Sequence, residues 1–169
     1  MKALLSKLSR KQSGFTIIEV MIVLALAGLI IAAVIVAVPQ LQRNQRNSAR
    51  RSILGRVATE INNYVGNNNG VVPDGSAAVT TGFVNGFVPR YISGPATAES
   101  FFSPKTGASM SYSATTTAGG ASIAEDAIVY VPGALCNGET PTTTAASTTR
   151  SFAVAIGLEG GASYCLDNK

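Results

Sequence analysis

FTIIEVMIVLALAGLIIAAVIVAV, residues 15–38, is a long apolar stretch near the start of the chain. Within it, only Thr16 and Glu19 carry polar side-chain groups. A helix of this length extends about 36 Å, which is enough to cross a hydrocarbon core about 30 Å thick. Its apolar side chains outweigh the cost of inserting one carboxylate. The stretch therefore predicts a membrane-spanning helix and leaves the role of Glu19 to be explained.

A second helical pattern follows Pro39. Apolar residues recur at spacings of three, four and eight and predict one face of an amphipathic helix: Leu41, Ala49, Ile53, Val57, Ile61 and Tyr64 or Val65. The sequence NNNG at 67–70 predicts the end of this helix. A continuous helix over residues 15–66 would be about 78 Å long, so about half of it would extend beyond a small domain.

Gly28 and Pro39 are predicted weak points in this long helix. Pro39 has no N–H to donate to the carbonyl of Ile35, and its ring clashes with that turn. Gly28 lowers the helix propensity because it has more conformational freedom than other residues. Two interpretations remain open, a simple kink at the membrane edge and a soft segment that serves a function.

After Gly70 the composition changes to Gly, Ser, Thr and Ala, with short apolar segments. Residues 127–131 (AIVYV) and 151–159 (SFAVAIGLE) predict strands, and Gly160-Gly161 followed by ASYCL predicts a hairpin. Residues 140–150, TPTTTAASTTR, predict an exposed loop. The predicted fold class is α+β, with a long N-terminal α-helix packed on a small antiparallel β-sheet domain.

The composition argues against an enzyme. The chain has no histidine, which excludes Ser-His-Asp and Cys-His catalysis and any zinc site built on imidazole. The G-x-S-x-G, GxxxxGK[ST] and CxxC patterns are also absent from the sequence. We therefore expect no catalytic residues, no metal and no cofactor.

The net charge of +4 is located in four basic residues at the start of the chain: Lys2, Lys7, Arg10 and Lys11. The other nine basic residues (13 minus 4) balance nine acidic ones, so the high pI is weak support for a nucleic-acid partner. Arg43, Arg46 and Arg50 share a helical face that is able to contact DNA. A solvated or lipid-headgroup face is the favoured interpretation of these arginines.

The two cysteines, Cys136 and Cys165, lie near the C-terminus, behind a segment predicted to export the domain. An even number of cysteines in a small exported domain favours a disulfide over two buried thiols. A bridge that closes a loop of this size contributes about 3 to 4 kcal/mol on the loop-closure estimate. We therefore expect a Cys136–Cys165 disulfide that supplies a large share of the domain's stability.

The basic start and the apolar stretch together suggest a targeting segment. An ordinary secretory signal has an apolar part of about 7 to 15 residues, so this stretch is too long. A cut between Ala33 and Ala37 would discard the helix, and an uncleaved membrane anchor would give Glu19 no purpose. A cut before the apolar stretch avoids both difficulties.

KQSGFTIIE, residues 11–19, resembles the processing site of type IV prepilins and pseudopilins. The shared features are a basic leader, Gly14 at the cut, Phe15 after it and Glu19 four residues further on. In that family a membrane-embedded prepilin peptidase cleaves after the glycine and methylates the new amine. The resemblance implies cleavage between Gly14 and Phe15, N-methylation of Phe15, and three parts. These are a leader (1–14), a helix (15–66, with 15–38 in the membrane or fibre core) and a β-sheet headgroup (67–169).

The resemblance also suggests a role for Glu19 in assembly. Cleavage turns the amide of Phe15 into an amine that is cationic near neutral pH. Opposite charges attract strongly in a dry setting, so Glu19 of one subunit can recruit the Phe15 amine of its neighbour. Pairing within one chain is the alternative, because positions i and i+4 share a helical face.

Gly28 resembles the family's helix glycine, which together with a downstream proline bounds a stretch that loses helicity in assembled pili. In this chain Pro39 lies somewhat farther from Gly28 than the usual proline, and Val36 stands near the usual place.

The resemblance implies a structural subunit of a surface filament. The prepilin would enter the membrane with its N-terminus inside, then polymerise through its helix for adhesion, motility or DNA uptake. Expected partners are other copies of the chain, the prepilin peptidase, the pilus assembly machinery and membrane lipid. The alternatives are a pseudopilin of a type II secretion system, a membrane-anchored extracellular binding protein and, least favoured, an anchored enzyme. The cysteine pair resembles the bridged loop of many pilins, and no dense acidic cluster for calcium appears, which favours a pilin.

Overall fold

The structure is a computed structural model that describes residues 14–76, 81–93, 101–116, 122–143 and 149–169. The chain forms two compact units, Met1–Leu41 and Gln42–Lys169. Helix α1, Ile17–Asn67, begins in the first unit and ends in the second. The α+β architecture is confirmed, with a long N-terminal helix and a mostly antiparallel sheet.

In the first unit, α1 is apolar on all sides. An 18-residue window has a mean hydropathy of 3.2, and none of it is buried inside the chain. Ile17 is 82% exposed and Val36 is 79% exposed. A helix that is apolar all round requires lipid or other apolar helices around it. The helix continues through Gly28 and Pro39, so their role as weak points remains a prediction.

In the second unit, α1 buries one stripe against the sheet domain. The stripe consists of Arg50, Leu54, Val57, Ala58, Ile61 and Tyr64. Val57, Ile61 and Tyr64 of the predicted face are buried in the core. Ile53 and Val65 pack against the same core while partly buried, whereas Leu41 is 59% exposed. Leu54 was not predicted to face the core. The buried stripe also includes Arg50 and Ala58; these two residues and Leu54 each follow a predicted position by one residue, so the stripe is wider than the predicted face.

The sheet has four strands in the order β1-β2-β5-β6, and a separate hairpin pairs β3 with β4. The strands are β1 Ser111–Ala114, β2 Ala127–Pro132, β3 Leu135–Asn137, β4 Thr140–Thr142, β5 Phe152–Gly157 and β6 Ser163–Asp167. The antiparallel pairs β2–β5 and β5–β6 confirm the predicted strands and hairpin. Gly160 and Gly161 form its turn with φ values of 97° and 84°, which favour glycine.

Two features of the sheet differ from the sequence predictions. β1 pairs with β2 in parallel, whereas the sequence predicted an antiparallel sheet; parallel strands need a crossover connection rather than a tight turn. The predicted loop at 140–150 begins as a strand, since Pro141 is buried and pairs opposite Cys136. Residues 144–148 of that predicted loop lie outside the described residues.

The disulfide between Cys136 and Cys165 is confirmed, with the two Cα atoms 5.8 Å apart. Cys136 lies in β3 and Cys165 in β6, so the bridge fastens the β3–β4 hairpin to the edge of the four-stranded sheet. The Cys136 N–H also donates to Asp167 Oδ2 at 2.8 Å. Covalent and hydrogen-bonded contacts therefore hold the hairpin in the same place.

The core of the second unit is rich in aromatic rings. Phe83 and Phe87 stack within a π-helix, Phe83–Ile92, with ring centroids 5.4 Å apart. Tyr130 of β2 stacks on Phe83 at 4.3 Å, and its buried hydroxyl donates to the carbonyl of Pro73 at 2.6 Å. Tyr64 of α1 meets the ring of Phe87 edge-on at 5.7 Å. Ring packing thus joins α1, the π-helix and the sheet.

Two tyrosines give a matched pair of stability predictions. Tyr130→Phe should lower the free energy of unfolding by about 1 to 3 kcal/mol, because the carbonyl of Pro73 loses its donor. Tyr112→Phe should leave stability unchanged or raise it slightly, because the Tyr112 hydroxyl is buried without a partner among the described residues. Denaturant unfolding of the detergent-solubilised chain measures both. A larger loss from Tyr112→Phe than from Tyr130→Phe would contradict this assignment of the two hydroxyls.

Candidate functional site

The bond between Gly14 and Phe15 lies before the first turn of α1, in chain with no regular secondary structure. The Phe15 side chain is 87% exposed. A Cβ added to Gly14 would meet nothing within 4 Å. The fold of the chain itself therefore does not require glycine at this position, and the bond is open to another molecule.

Thr16 and Glu19 form a reciprocal cap at the start of α1. The Thr16 N–H and the Thr16 hydroxyl both donate to Glu19 Oε2, at 2.9 and 2.8 Å. The Glu19 N–H donates back to Thr16 Oγ1 at 3.4 Å. This is the capping box, in which a threonine and a glutamate three residues later satisfy each other's backbone donors. The sequence analysis did not predict this capping box, although the pattern T-x-x-E at 16–19 is its sequence signature.

The cap uses part of the hydrogen-bonding capacity of the Glu19 carboxylate and leaves the rest for another donor. Both Thr16 donors reach Oε2, and a carboxylate has about four lone-pair sites. Phe15 and Glu19 also line the same surface groove, together with Val20, Val23 and other apolar residues. The carboxylate is thus placed beside Phe15, among apolar side chains, with acceptor capacity for a further donor.

Comparison with known proteins gives a match at this end of the chain. Residues 9–35 match the family described as the prokaryotic N-terminal methylation motif. This motif is the prepilin-type leader that is typical of the type IV pilin and pseudopilin group. No curated protein and no solved structure gives a match. The motif covers the predicted leader's end, the Gly14–Phe15 bond and most of the apolar stretch.

Proteins of the type IV pilin and pseudopilin group, of which this motif is typical, are structural rather than enzymatic. The motif implies processing by a prepilin peptidase and assembly into a filament. The apolar N-terminal helix is consistent with membrane anchoring before that assembly. Within the described ranges, no group of three or more His, Cys, Asp or Glu residues is placed to hold a metal ion.

The arginines of α1 correct one sequence prediction. Arg50 is fully buried, not solvated, and its guanidinium contacts three carboxylates. It donates to Asp126 Oδ1 at 2.6 Å, Glu125 Oε1 at 2.9 Å and Glu159 Oε1 at 2.9 Å. Arg46 pairs with Glu159 as well, with Nη2 at 2.8 Å from Oε2. Arg43 is exposed. Arg46 and Arg50 are paired with carboxylates of the same domain, so of the three arginines suggested to contact DNA only Arg43 is exposed.

These contacts define an ion cluster made of Arg46, Arg50, Lys105, Glu125, Asp126 and Glu159. Lys105 Nζ lies 3.1 Å from both oxygens of Glu125, and the Ser103 hydroxyl donates to Asp126 Oδ2 at 2.7 Å. Three positive and three negative groups balance one another. The cluster ties α1 to the turn after β5, to the segment before β2 and to the 103–106 turn. Its role is to fix the helix in the domain.

The cluster shifts the pKa values of its acids. Hydrogen bonding from Arg46 is the main cause that lowers the pKa of Glu159 to about 2, and Arg50 adds to it. Burial opposes ionisation of Asp126, but hydrogen bonds from Arg50 and Ser103 outweigh it and lower the pKa of Asp126. Both acids are therefore charged at neutral pH, as the buried Arg50 requires.

Proposed function

We propose that the chain is the structural subunit of a type IV pilus-like surface filament. The observation that carries the proposal is the Gly14–Phe15 bond, exposed and directly followed by a capped helix that is apolar on all sides. Such a helix is stable in a membrane before assembly, and surrounded by helices of other copies afterwards. A surface that binds the next copy in a non-closing way produces a fibre.

The proposed sequence of events uses residues at the start of α1. The prepilin peptidase cleaves after Gly14 and methylates the new amine of Phe15. The amine is cationic near neutral pH, and Glu19 of an adjacent subunit accepts it. Thr16 holds Glu19 Oε2, which leaves Oε1 to receive the amine of the neighbour. The leader is then residues 1–14, the assembly helix 15–66 and the headgroup 67–169.

A pilin is favoured over a pseudopilin of a type II secretion system by the C-terminal disulfide. The bridge and the Cys136 N–H bond to Asp167 fasten the hairpin covalently and by hydrogen bonding. A calcium-binding loop brings several carboxylates together around the ion. Among the described residues, no three His, Cys, Asp or Glu side chains are placed together to hold a metal ion. The proposed partners are other copies of the chain, the peptidase, the assembly machinery and membrane lipid; adhesion, motility and DNA uptake are the candidate uses.

Processing gives the first test of the proposal. We expect the exported chain to begin at an N-methylated Phe15, because the Gly14–Phe15 bond is exposed and Gly14 offers no side chain to hinder the peptidase. Mass spectrometry of sheared surface material measures this. Gly14→Val should block cleavage without altering the fold, since nothing in the described chain lies within 4 Å of an added Cβ. A mature chain that begins at Met1 or near Pro39 would refute the prepilin interpretation.

Fractionation separates the filament subunit from a membrane-anchored binding protein. A filament subunit appears in sheared filaments that electron microscopy detects, and these disappear when the chain is deleted. An anchored binding protein stays with the membrane fraction under the same shear. The same comparison in cells that lack secretion machinery distinguishes a surface pilus from a pseudopilus, because a pseudopilus depends on that machinery.

A further inference from the structure

Three asparagines in the chain are followed by glycine: Asn69-Gly70, Asn85-Gly86 and Asn137-Gly138. An Asn-Gly pair can deamidate, because the glycine nitrogen attacks the asparagine side chain and glycine offers no Cβ to hinder it. The attack requires that the glycine N–H lose its proton. A glycine N–H that donates a hydrogen bond inside the fold must first be released by local opening.

Two of the three pairs are protected in this way. The Gly70 N–H donates to the carbonyl of Val65 at 2.9 Å, in the turn that ends α1. The Gly86 N–H donates to the carbonyl of Gly82 at 2.9 Å, in the first turn of the π-helix. Both glycine nitrogens are therefore held in backbone hydrogen bonds.

The third pair, Asn137-Gly138, is exposed to solvent. Asn137 ends β3, and Gly138 with Glu139 forms the two-residue turn to β4. Asn137 and Gly138 are both exposed, and a Cβ built on Gly138 would meet nothing within 4 Å. Among the described residues, no backbone carbonyl accepts from the Gly138 N–H outside the strand pairing. Water and base therefore have free access to the Gly138 nitrogen.

We propose that Asn137 is a site of spontaneous deamidation in the folded protein. The Gly138 nitrogen gives up its proton to base and bonds to Asn137 Cγ, and the bond from Cγ to the side-chain nitrogen breaks. That nitrogen takes up a proton and leaves as ammonia, and a five-membered succinimide remains. Water then opens one of the two imide C–N bonds, which gives aspartate or isoaspartate at position 137.

The product changes the surface beside the disulfide. A new carboxylate at position 137 lies two residues before Glu139 and next to Cys136, whose N–H donates to Asp167. It adds negative charge to a place that already carries two acids. Isoaspartate also adds one carbon to the backbone, which disturbs the pairing of Asn137 with Thr140. Older subunits would thus carry a more acidic and looser hairpin.

The experiment follows all three pairs in one sample of the full chain, extracted from membranes in detergent. The sample is kept at mildly alkaline pH and digested at intervals, and mass spectrometry measures the deamidated fraction at each asparagine. A parallel sample is unfolded in denaturant with the disulfide reduced. Asn137→Gln serves as the control variant, because glutamine would have to form a six-membered ring and reacts far more slowly.

In the folded chain, Asn137 should deamidate faster than Asn69 and Asn85 by about tenfold or more, which corresponds to an opening free energy of about 1.4 kcal/mol. In the unfolded chain, the three rates should become similar, and the Asn137→Gln chain should lose the signal at position 137 alone. If Asn137 deamidates in the folded chain no faster than Asn69 and Asn85, the proposal is overturned.

Discussion

Glu19→Gln is expected to reduce the yield of sheared filaments by about tenfold or more, because the amine of a neighbouring Phe15 loses its counter-charge in an apolar setting. Glutamine at this position retains the capping box, since Gln serves as well as Glu three residues after the cap threonine. Insertion into the membrane should be intact or improved. The variant therefore removes the charge and leaves the start of the helix in place.

Two companion variants separate the charge of Glu19 from its capping role. Glu19→Ala removes both, and we expect it to fail in assembly as Glu19→Gln does. Thr16→Ala removes the hydroxyl that donates to Glu19 Oε2 but keeps the carboxylate, so it should assemble better than either Glu19 variant. The measurement is filament yield at equal membrane levels of correctly cleaved subunit. Normal yield from Glu19→Gln together with failure of Thr16→Ala would show that Glu19 acts as a helix cap.

The local elements of the fold could be predicted from the sequence. The apolar stretch at 15–38 and the strands around residues 127–131 and 151–159 each depend on periodicity within a short window. Gly160-Gly161 specifies its turn through backbone freedom that other residues lack. The Cys136–Cys165 pair was predictable because the chain has two cysteines and a segment that predicts export.

The long-range features could not be predicted in the same way. Arg50 contacts Asp126, which is 76 residues away, and no local pattern indicates that a charged side chain on a helix will be buried. β1 pairs with β2 in parallel, and short strands give no sequence signal of their direction. At the candidate site, the capping box was the feature that the sequence analysis did not predict, although its T-x-x-E pattern is local.

Arg50→Ala is expected to destabilise the second unit by about 3 to 5 kcal/mol, the usual loss when one partner of a buried ion pair is removed. The variant leaves Asp126 with the Ser103 hydroxyl in place of a cation, and Glu125 and Glu159 each lose one donor. It also opens space where the fully buried guanidinium packs. Denaturant unfolding of the detergent-solubilised chain, followed by tyrosine fluorescence, measures the loss.

Arg51→Ala is the control variant on the same helix. Arg51 is exposed, and its guanidinium lies 5.3 Å from the centre of the Tyr164 ring. An exposed cation–π contact contributes about 0.5 to 1 kcal/mol, so this variant should lose at most that much. Equal losses from Arg50→Ala and Arg51→Ala would mean that the ion cluster does not hold α1 in the domain.

The pH dependence of stability provides an independent test of the same cluster. The pKa of Glu159 is lowered from its usual 4.5 to about 2, and the pKa of Asp126 is lowered from its usual 3.8. Groups whose pKa is lower in the folded state contribute stability above the unfolded pKa and lose it as the pH falls through the folded value. The wild-type chain should therefore keep the contribution of the cluster down to about pH 4.5 and lose it progressively towards pH 2. Arg50→Ala should show a weaker decline over the same range, because it removes the arginine that lowers the pKa of Asp126 and one of the two arginines that lower the pKa of Glu159, while Arg46 remains. Wild-type and variant curves that stay parallel from neutral pH to pH 2 would show that Arg50 is not the source of this stability.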